Sequence, residues 1–460
     1  MMVPTIFAET ALLPDGWAHN VAIGVGKDGV ITGVRSGASG EDLERAKGPL
    51  IPGMINLHSH AFQRAMAGLT EVAVDPNDSF WSWRDLMYRL VGRLHPDQVS
   101  AIAAYLYIDM LKGGYTSVAE FHYVHHDRDG RPYADPAEMS RRLLDAADTT
   151  GIRITLLPVM YAHGGFGGKS PTDGQRRFIH TPDAYLRLLE RLEKPCATSR
   201  HALGVAFHSL RAVTPEEITE LLEAIRPHMP IHIHIAEQQR EVDDCLAWCG
   251  QRPIDLLYDR WDVNERWCLV HATHADDRET ERMAKSGAIV GICPTTEANL
   301  GDGLFAAVAY AKAGGRWGIG SDSHVSVTAQ EELRWLEYGQ RLKHERRNRL
   351  HPGERGSVAG YLYPAALDGG SQAMGQKLGK IAPGHAADFV VLDSRDPLIA
   401  NSTGDEILGR WLFAGSRRVV RDVMVAGDWV IQDGRHPDEI EAGRAFAALM
   451  RPLFAESAEG

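Results

Sequence analysis

Histidines and acidic residues fall in five short stretches of this chain, each carrying side chains able to bind a metal. They are Leu57-His58-Ser59-His60, Phe207-His208-Ser209, His232-Ile233-His234-Ile235-Ala236-Glu237, Val270-His271-Ala272-Thr273-His274 and Gly320-Ser321-Asp322-Ser323-His324. Most follow directly on short apolar runs of strand character. Histidine nitrogen and aspartate oxygen suit a borderline divalent ion such as zinc, and a catalytic zinc keeps one position open for water. A lone histidine at a strand end is usually a hydrogen-bonded core residue. Several at successive strand ends, with a nearby glutamate and a final aspartate, are not explained by packing.

Spacing separates their roles. His58 and His60 are two apart on a strand, so both face one way and can reach one ion. His232 and His234 also share a face. His234 lies nearer the C-terminal end of its strand and is expected as a ligand, with His232 an interior residue. Asp322 completes the set, giving one zinc per chain on His58, His60, His234 and Asp322, although iron could occupy the same ligands. No lysine lies in Leu203–His208, which argues against a carbamylated lysine bridging two metals. Glu237, just past His234, is placed to shuttle a proton without binding the ion. His271 is placed to polarise a substrate or orient the attacking water, and Asp322 serves catalysis as well as the metal. Such a set suits hydrolysis at an sp² carbon bearing nitrogen, by deamination or amide cleavage.

The residues converge only if their strands form a ring. Between Pro52 and Pro383, eight strand candidates alternate with helical segments: Met54–His58, Thr116–Phe121, Arg153–Met160, Leu203–His208, Ile231–Ala236, Trp267–His271, Ala288–Ile292 and Trp317–Gly320. In Pro96–Lys112, Val99, Ile102, Ala103, Leu106 and Met110 recur at helical spacing until Gly113-Gly114. Pro215–Ile225 carries Ile218, Leu221, Leu222 and Ile225 on one face. The expected class is α/β, a (β/α)8 TIM barrel with its site at the C-terminal strand ends. An open doubly wound sheet would leave the candidate ligands of the first, fifth, sixth and eighth strands apart. Two polar loops that follow barrel strands, Tyr123–Pro136 and Ala162–Pro182, are long enough to suggest binding or gating.

The flanks carry hairpin signals: Ala22–Val25 and Val30–Val34 around Lys27-Asp28-Gly29, then Asp388–Leu392 and Val419–Ile431 with a turn at Ala426-Gly427-Asp428. Neither flank is long enough for a core of its own. Residues 1–52 and 384–460 are therefore expected to form one small composite β-sandwich domain, with a terminal helix, around a metal-dependent barrel spanning 53–383. Gly24, Gly26 and Gly29 match a dinucleotide-binding spacing, but no helix follows and the hairpin reading is preferred.

The 460-residue chain is 44% hydrophobic and 24% charged, ordinary for a globular protein, and its net charge of −12 argues against nucleic acid or an anionic membrane as a general partner. The five cysteines are read as reduced thiols. No basic residue precedes Lys27 and no apolar run suits a signal peptide or a membrane span, so the expected location is the cytoplasm.

With these residues in place, the chain resembles the amidohydrolase superfamily. The resemblance rests on Pro52-Gly53-Met54-Ile55-Asn56-Leu57-His58-Ser59-His60, His234 with Glu237, His271, Ser321-Asp322 and the tail Gly379-Lys380-Ile381-Ala382-Pro383-Gly384-His385-Ala386-Ala387-Asp388-Phe389. It covers essentially the whole chain, points to the mononuclear deaminase branch and allows a homodimer. Within that branch the chain is similar to the formimidoylglutamate deiminase family, through Phe62-Gln63-Arg64-Ala65-Met66-Ala67-Gly68-Leu69, Phe80-Trp81-Ser82-Trp83-Arg84, Glu120-Phe121-His122-Tyr123, Phe207-His208-Ser209-Leu210-Arg211 and Cys293-Pro294-Thr295-Thr296-Glu297-Ala298-Asn299-Leu300-Gly301. That similarity implies conversion of N-formimino-L-glutamate to N-formyl-L-glutamate and ammonia in histidine degradation. It also implies that Gln63, Arg84, Tyr123, His208 and Arg211 hold the substrate, and a dicarboxylate does favour guanidinium forks with phenol or imidazole donors. The alternatives are a related deaminase of a guanine-like or adenosine-like ring, and a non-catalytic scaffold of the same fold. The first would not need two carboxylate-binding arginines, and the second would be expected to have lost ligands.

Overall fold

The computed structural model describes residues 5–72, 80–351, 353, 356–415 and 419–454. Eight strands form its centre: β1 (Met54–Ser59), β2 (Tyr115–His122), β3 (Arg153–Met160), β4 (Val205–Phe207), β5 (Ile231–Ile235), β6 (Trp267–His271), β7 (Ile289–Ile292) and β8 (Arg316–Ile319). Each pairs in parallel with the next, and β8 returns to β1 through Ile319 opposite Asn56. The ring is a closed (β/α)8 barrel. Its strands are buried on both faces, which is why they read as continuous apolar runs.

The strands expected from the sequence recur with small shifts of their ends. The fourth is different, because Gly204 splits it into His201–Leu203 and β4. A Cβ on Gly204 would lie 2.5 Å from a Leu157 methyl and 2.9 Å from the Pro230 ring, so the chain passes too close to its neighbours there for any side chain.

Helices cover the barrel as their patterns require. Pro96–Lys112 buries Val99, Ile102, Ala103, Leu106 and Met110, and Pro215–Ala224 starts where the Thr214 hydroxyl accepts the Glu217 N–H at 3.3 Å, a capping arrangement that satisfies an otherwise orphaned donor. The C-terminal helix Glu439–Phe454 lies on Pro96–Lys112, with the Tyr105 and Phe446 rings stacked at 4.3 Å and Lys112 paired to Glu439 at 2.7 Å. Among the described residues no helix is long and apolar enough to cross a membrane.

Strands from both ends of the chain join in one hydrogen-bonded path, ordered Asp428–Ile431, Val420–Val425, Phe389–Leu392, Leu50–Pro52, Thr5–Leu13, Gly16–Val25 and Ile31–Arg35. Ile6, Val21, Ile23, Leu50, Phe389 and Val391 form its own apolar core. The Gly24–Gly29 stretch belongs to an antiparallel hairpin, Ala22 facing Arg35, as the turn chemistry indicates. At its tip Gly29 has φ +75°, and a Cβ there would sit 2.3 Å from the Ala426 carbonyl oxygen. Ala426 and Gly427, with φ +51° and +84°, are the turn of the C-terminal hairpin. The two turns meet where only glycine lets the backbones touch.

The two long loops pack against each other. The His125 and His126 amides donate to the Arg177 carbonyl at 3.0 and 3.1 Å. The buried Arg177 guanidinium donates to the His126 carbonyl at 2.7 Å and to the Leu94 carbonyl at 2.9 Å. One side chain thereby ties both loops to the end of helix Phe80–Val91.

Candidate metal centre and substrate pocket

Closing the barrel brings the proposed ligands together. Past its last strand pair, the chain after β8 continues beside β1: the Asp322 amide donates to the His58 carbonyl at 3.1 Å and the His60 amide to the Asp322 carbonyl at 3.3 Å. Beneath them Asn56 clamps the two strands, donating to the Ser321 hydroxyl at 2.7 Å and accepting the Ser321 amide at 3.0 Å. Ala236, His271, Ala272, Asp322 and His324 all have positive φ. Non-glycine residues adopt this region at a cost, and it concentrates at functional sites. Here it lets the chain turn sharply out of β5, β6 and β8.

The result is a compact donor set. His58 Nε2 is 3.2 Å from His60 Nε2, 3.0 Å from His234 Nε2 and 3.5 Å from Asp322 Oδ1, and His60 Nε2 is 3.3 Å from the same oxygen. Four ligand atoms held tetrahedrally at about 2.0–2.1 Å from one ion stand roughly 3.3 Å apart. Burial lowers the His58 pKa to about 3 and also lowers those of His60 and His234, so the imidazoles are neutral and offer lone pairs. His60 Nδ1 donates to the Phe121 carbonyl at 2.8 Å, which leaves Nε2 as the ligating nitrogen. Burial alone would raise Asp322, but the His58 hydrogen bond and the nearness of His58, His60 and His271 hold it below the ordinary carboxylate range. Neutral imidazoles crowded about a carboxylate suit a divalent cation.

Glu237 flanks this set, and His271 also comes close enough to His58 and His234 for their ligand atoms to hold an ion among them. His271 Nε2 lies 3.9 Å from Glu237 Oε1 and 3.8 Å from Asp322 Oδ2, while its Nδ1 faces Glu297 at 3.4 Å. Burial alone would lower His271, yet Glu237, Glu297 and Asp322 together push it up to about 10. Burial raises Glu237 against the opposing pull of His271 and Arg211. A buried carboxyl group with a raised pKa beside an imidazole is suited to moving protons. His232 turns away, its Nε2 donating to the Ala373 carbonyl at 2.8 Å.

Gln63, Arg84, Tyr123, His208 and Arg211 line one pocket whose floor is His60, His234, Glu237, His271 and Asp322; it encloses about 600 Å³ of empty space, mouth included. Gln63 donates to the Tyr123 hydroxyl at 2.9 Å, and the Tyr123 ring meets that of His60 at 5.0 Å. The His208 ring lies 5.1 Å from His234. The Arg84 guanidinium stands 5.4 Å above the Tyr88 ring. Among the described residues Arg211 Nε is buried without a hydrogen-bond partner. All the candidate site residues expected from the sequence but His58 thus line one cavity, and His58 joins it through its contacts with His60 and His234. The side chains of Phe80, Trp81 and Ser82 lie outside the described residues.

The sequence profile of the Amidohydrolase family matches residues 50–430. The chain belongs to this family. A second profile, Formimidoylglutamate deiminase HutF, N-terminal domain, matches residues 3–47. The amidohydrolase is 59% identical over 449 residues to the formimidoylglutamate deiminase of Pseudomonas aeruginosa, covering 98% of this chain and 99% of that one. A crystal structure of an amidohydrolase from Brucella melitensis superposes with a TM-score of 0.93 at 50% identity, covering 98% of this chain and 100% of the other. A 5-methylthioadenosine/S-adenosylhomocysteine deaminase of Natronomonas pharaonis is 26% identical over 424 residues, 90% of this chain and 89% of its own.

Several residues of the site escape a reading by strand ends. Tyr88, Phe178 and Leu300 complete the pocket wall of the amidohydrolase, but each sits far from any strand end and has no signal of its own. Tyr161, also on the wall, directly follows β3, so the strand-end rule could have found it. Glu120 accepts from the Ser59 hydroxyl at 2.6 Å and the Ala61 amide at 2.7 Å, locking the segment that carries His58 and His60. Burial raises its pKa to about 7 against those hydrogen bonds.

Proposed function

We propose that this amidohydrolase hydrolyses the formimino C–N bond of N-formimino-L-glutamate, giving N-formyl-L-glutamate and ammonia in histidine degradation, with one zinc ion on His58, His60, His234 and Asp322. The observation that carries the proposal is the presence of two arginines, Arg84 and Arg211, on the wall of the pocket whose floor holds the donor set. A protein of net charge −12 that admits a dianion needs such local positive charge, and the planar guanidinium fork matches a carboxylate. A neutral aminopurine would find no use for it. The 59% identical relative named for this activity supports the same reading.

A bound divalent ion supplies Lewis-acid polarisation and a nucleophile available near neutral pH. The rest falls to the chain. Arg84, Arg211, Gln63 and Tyr123 fix the carboxylates, so that the formimino carbon faces Glu237 and His271. As water adds to that carbon, Glu237 takes the proton that water sheds. His271, with its Nδ1 side held by Glu297, steadies the charge that builds up on the adding oxygen. Glu237 then returns that proton to the departing nitrogen and relays the remaining hydroxyl proton to it as the C–N bond breaks, so the nitrogen leaves as ammonia and the carbon keeps the oxygen as a formyl group.

Ammonia release from formimino-glutamate, formimino-aspartate and guanine, measured beside metal content, tests the proposal. Turnover of formimino-glutamate by protein holding one zinc per chain is the expected result. Efficient deamination of guanine with formimino-glutamate untouched would overturn the substrate assignment, and two tightly bound metals per active chain would overturn the single-ion centre.

A further inference from the structure

The helix after β5 begins with a buried carboxylate that has no place in the chemistry above. Glu241 lies in the first turn of Gln239–Cys249 and is 2% exposed. One of its oxygens accepts the Ala236 amide at 3.2 Å and the other accepts the Glu237 amide at 3.3 Å. Ala236 has φ +48°, a conformation that is costly for a non-glycine residue and persists only where its surroundings impose it. Glu241 is that imposition: it holds both amides of the turn that aims Glu237 into the pocket.

The same carboxylate faces Arg211 from the far side of the strand ends. Arg211 Nη2 lies 3.9 Å from Glu241 Oε2, well beyond the roughly 2.7–2.9 Å of a charged hydrogen bond. Glu241 and Glu237 are the carboxylates whose charges Arg211 feels most strongly. The guanidinium is balanced by Glu241 yet not bound to it, and its buried Nε has no acceptor among the described residues. Were Glu241 uncharged, Glu237 would be the remaining carboxylate whose charge acts on Arg211, and an ion pair there would immobilise the proton shuttle.

We propose that Glu241 is a positioning residue joining substrate capture to proton transfer, fixing the backbone of Glu237 while holding Arg211 off the Glu237 carboxylate so that its donors stay available to the substrate. This rests on the reading that Arg211 binds a substrate carboxylate and that Glu237 carries the proton. It adds a coupling between the two that neither role requires.

The test is a double-mutant cycle of Glu241→Gln and Arg211→Gln, assayed on formimino-glutamate with metal content measured in each variant. Glutamine keeps the shape but loses the charge and one of the two amide contacts. Glu241→Gln is expected to retain its metal, to lower kcat by about tenfold or more and also to raise KM, as Arg211 turns from the substrate to Glu237. The double variant should depart from the product of the single effects by about fivefold or more, as residues sharing one interaction do. If Glu241→Gln does not fold, the cycle is run with Ala236→Gly in every member, since glycine takes the left-handed turn without strain. Effects that multiply to within about twofold, or a Glu241→Gln variant that raises KM and leaves kcat alone, would overturn the proposal. A wild-type protein that ignores formimino-glutamate would overturn the functional reading instead, before the cycle begins.

Discussion

On the floor of the pocket, His60, His234, His271 and Asp322, with His58 against His60 and His234, sit on strands or a few residues past them, and barrel pairing fixes their spacing. On the wall, Gln63 rides a 3-10 turn, Arg84 a helix, and Tyr123, His208 and Arg211 the segments beyond β2 and β4. The floor owes its precision to backbone hydrogen bonds between neighbouring strands. The wall owes its shape to ring contacts such as Tyr123 on Phe178 at 5.0 Å and Tyr161 on His208 at 4.5 Å. A reaction needs its donor atoms held to a few tenths of an ångström, whereas a specificity pocket can be rebuilt by changing loops on the same strands. The floor therefore reports the chemistry and the wall reports the substrate.

The largest expected effect strikes the floor. Asp322→Asn removes the charge that three imidazoles surround, so metal content should fall and turnover should vanish together, as elemental analysis and an ammonia assay on one preparation would reveal. Glu237→Gln should divide the floor itself: metal stays, while kcat drops by about 10²–10⁴-fold, the range of general acid–base catalysis. Metal loss in that variant would show that Glu237 is a ligand. On the wall, Arg211→Lys and Arg84→Lys should each cost about one to two orders of magnitude in kcat/KM, from roughly 1.5–3 kcal/mol of charged hydrogen bonding, at unchanged metal content. A floor-like loss of metal from either would erase the distinction. The mildest catalytic effect belongs outside both. Gly29→Ala, which would drive a methyl into the Ala426 carbonyl, should destabilise the protein by about 1–3 kcal/mol in chemical denaturation while kcat stays at the wild-type value.

The contrast also explains what the sequence could reveal. The floor was legible because strand alternation puts His58 and His60 on one side and because strand ends converge in a closed barrel. The spacing of Arg84 and Arg211 carried no such message, and the substrate-binding role proposed for them came from the resemblance to a family. The supporting contacts were invisible because they join distant positions. Asn56 meets Ser321 across 265 residues, and Arg153 pairs with Asp388 across 235. The break at Gly204 was hidden for a related reason, since it arises from the closeness of Leu157 and Pro230 rather than from any local propensity.

The meeting of the two hairpin turns, Gly29 against Ala426, sets an order on how this molecule is made. Pro52 pairs with Phe389 and Leu50 with Val391, so the early strand Leu50–Pro52 waits for a partner that leaves the ribosome after the whole barrel has been synthesised. At about 5–20 residues per second, that wait lasts tens of seconds. During it the barrel can close, but the first strands present bare edges to any neighbouring nascent chain, the condition under which unpaired strands aggregate. The crowded moment in the life of this protein falls before its chemistry begins, in the interval when its beginning has been translated and its end has not.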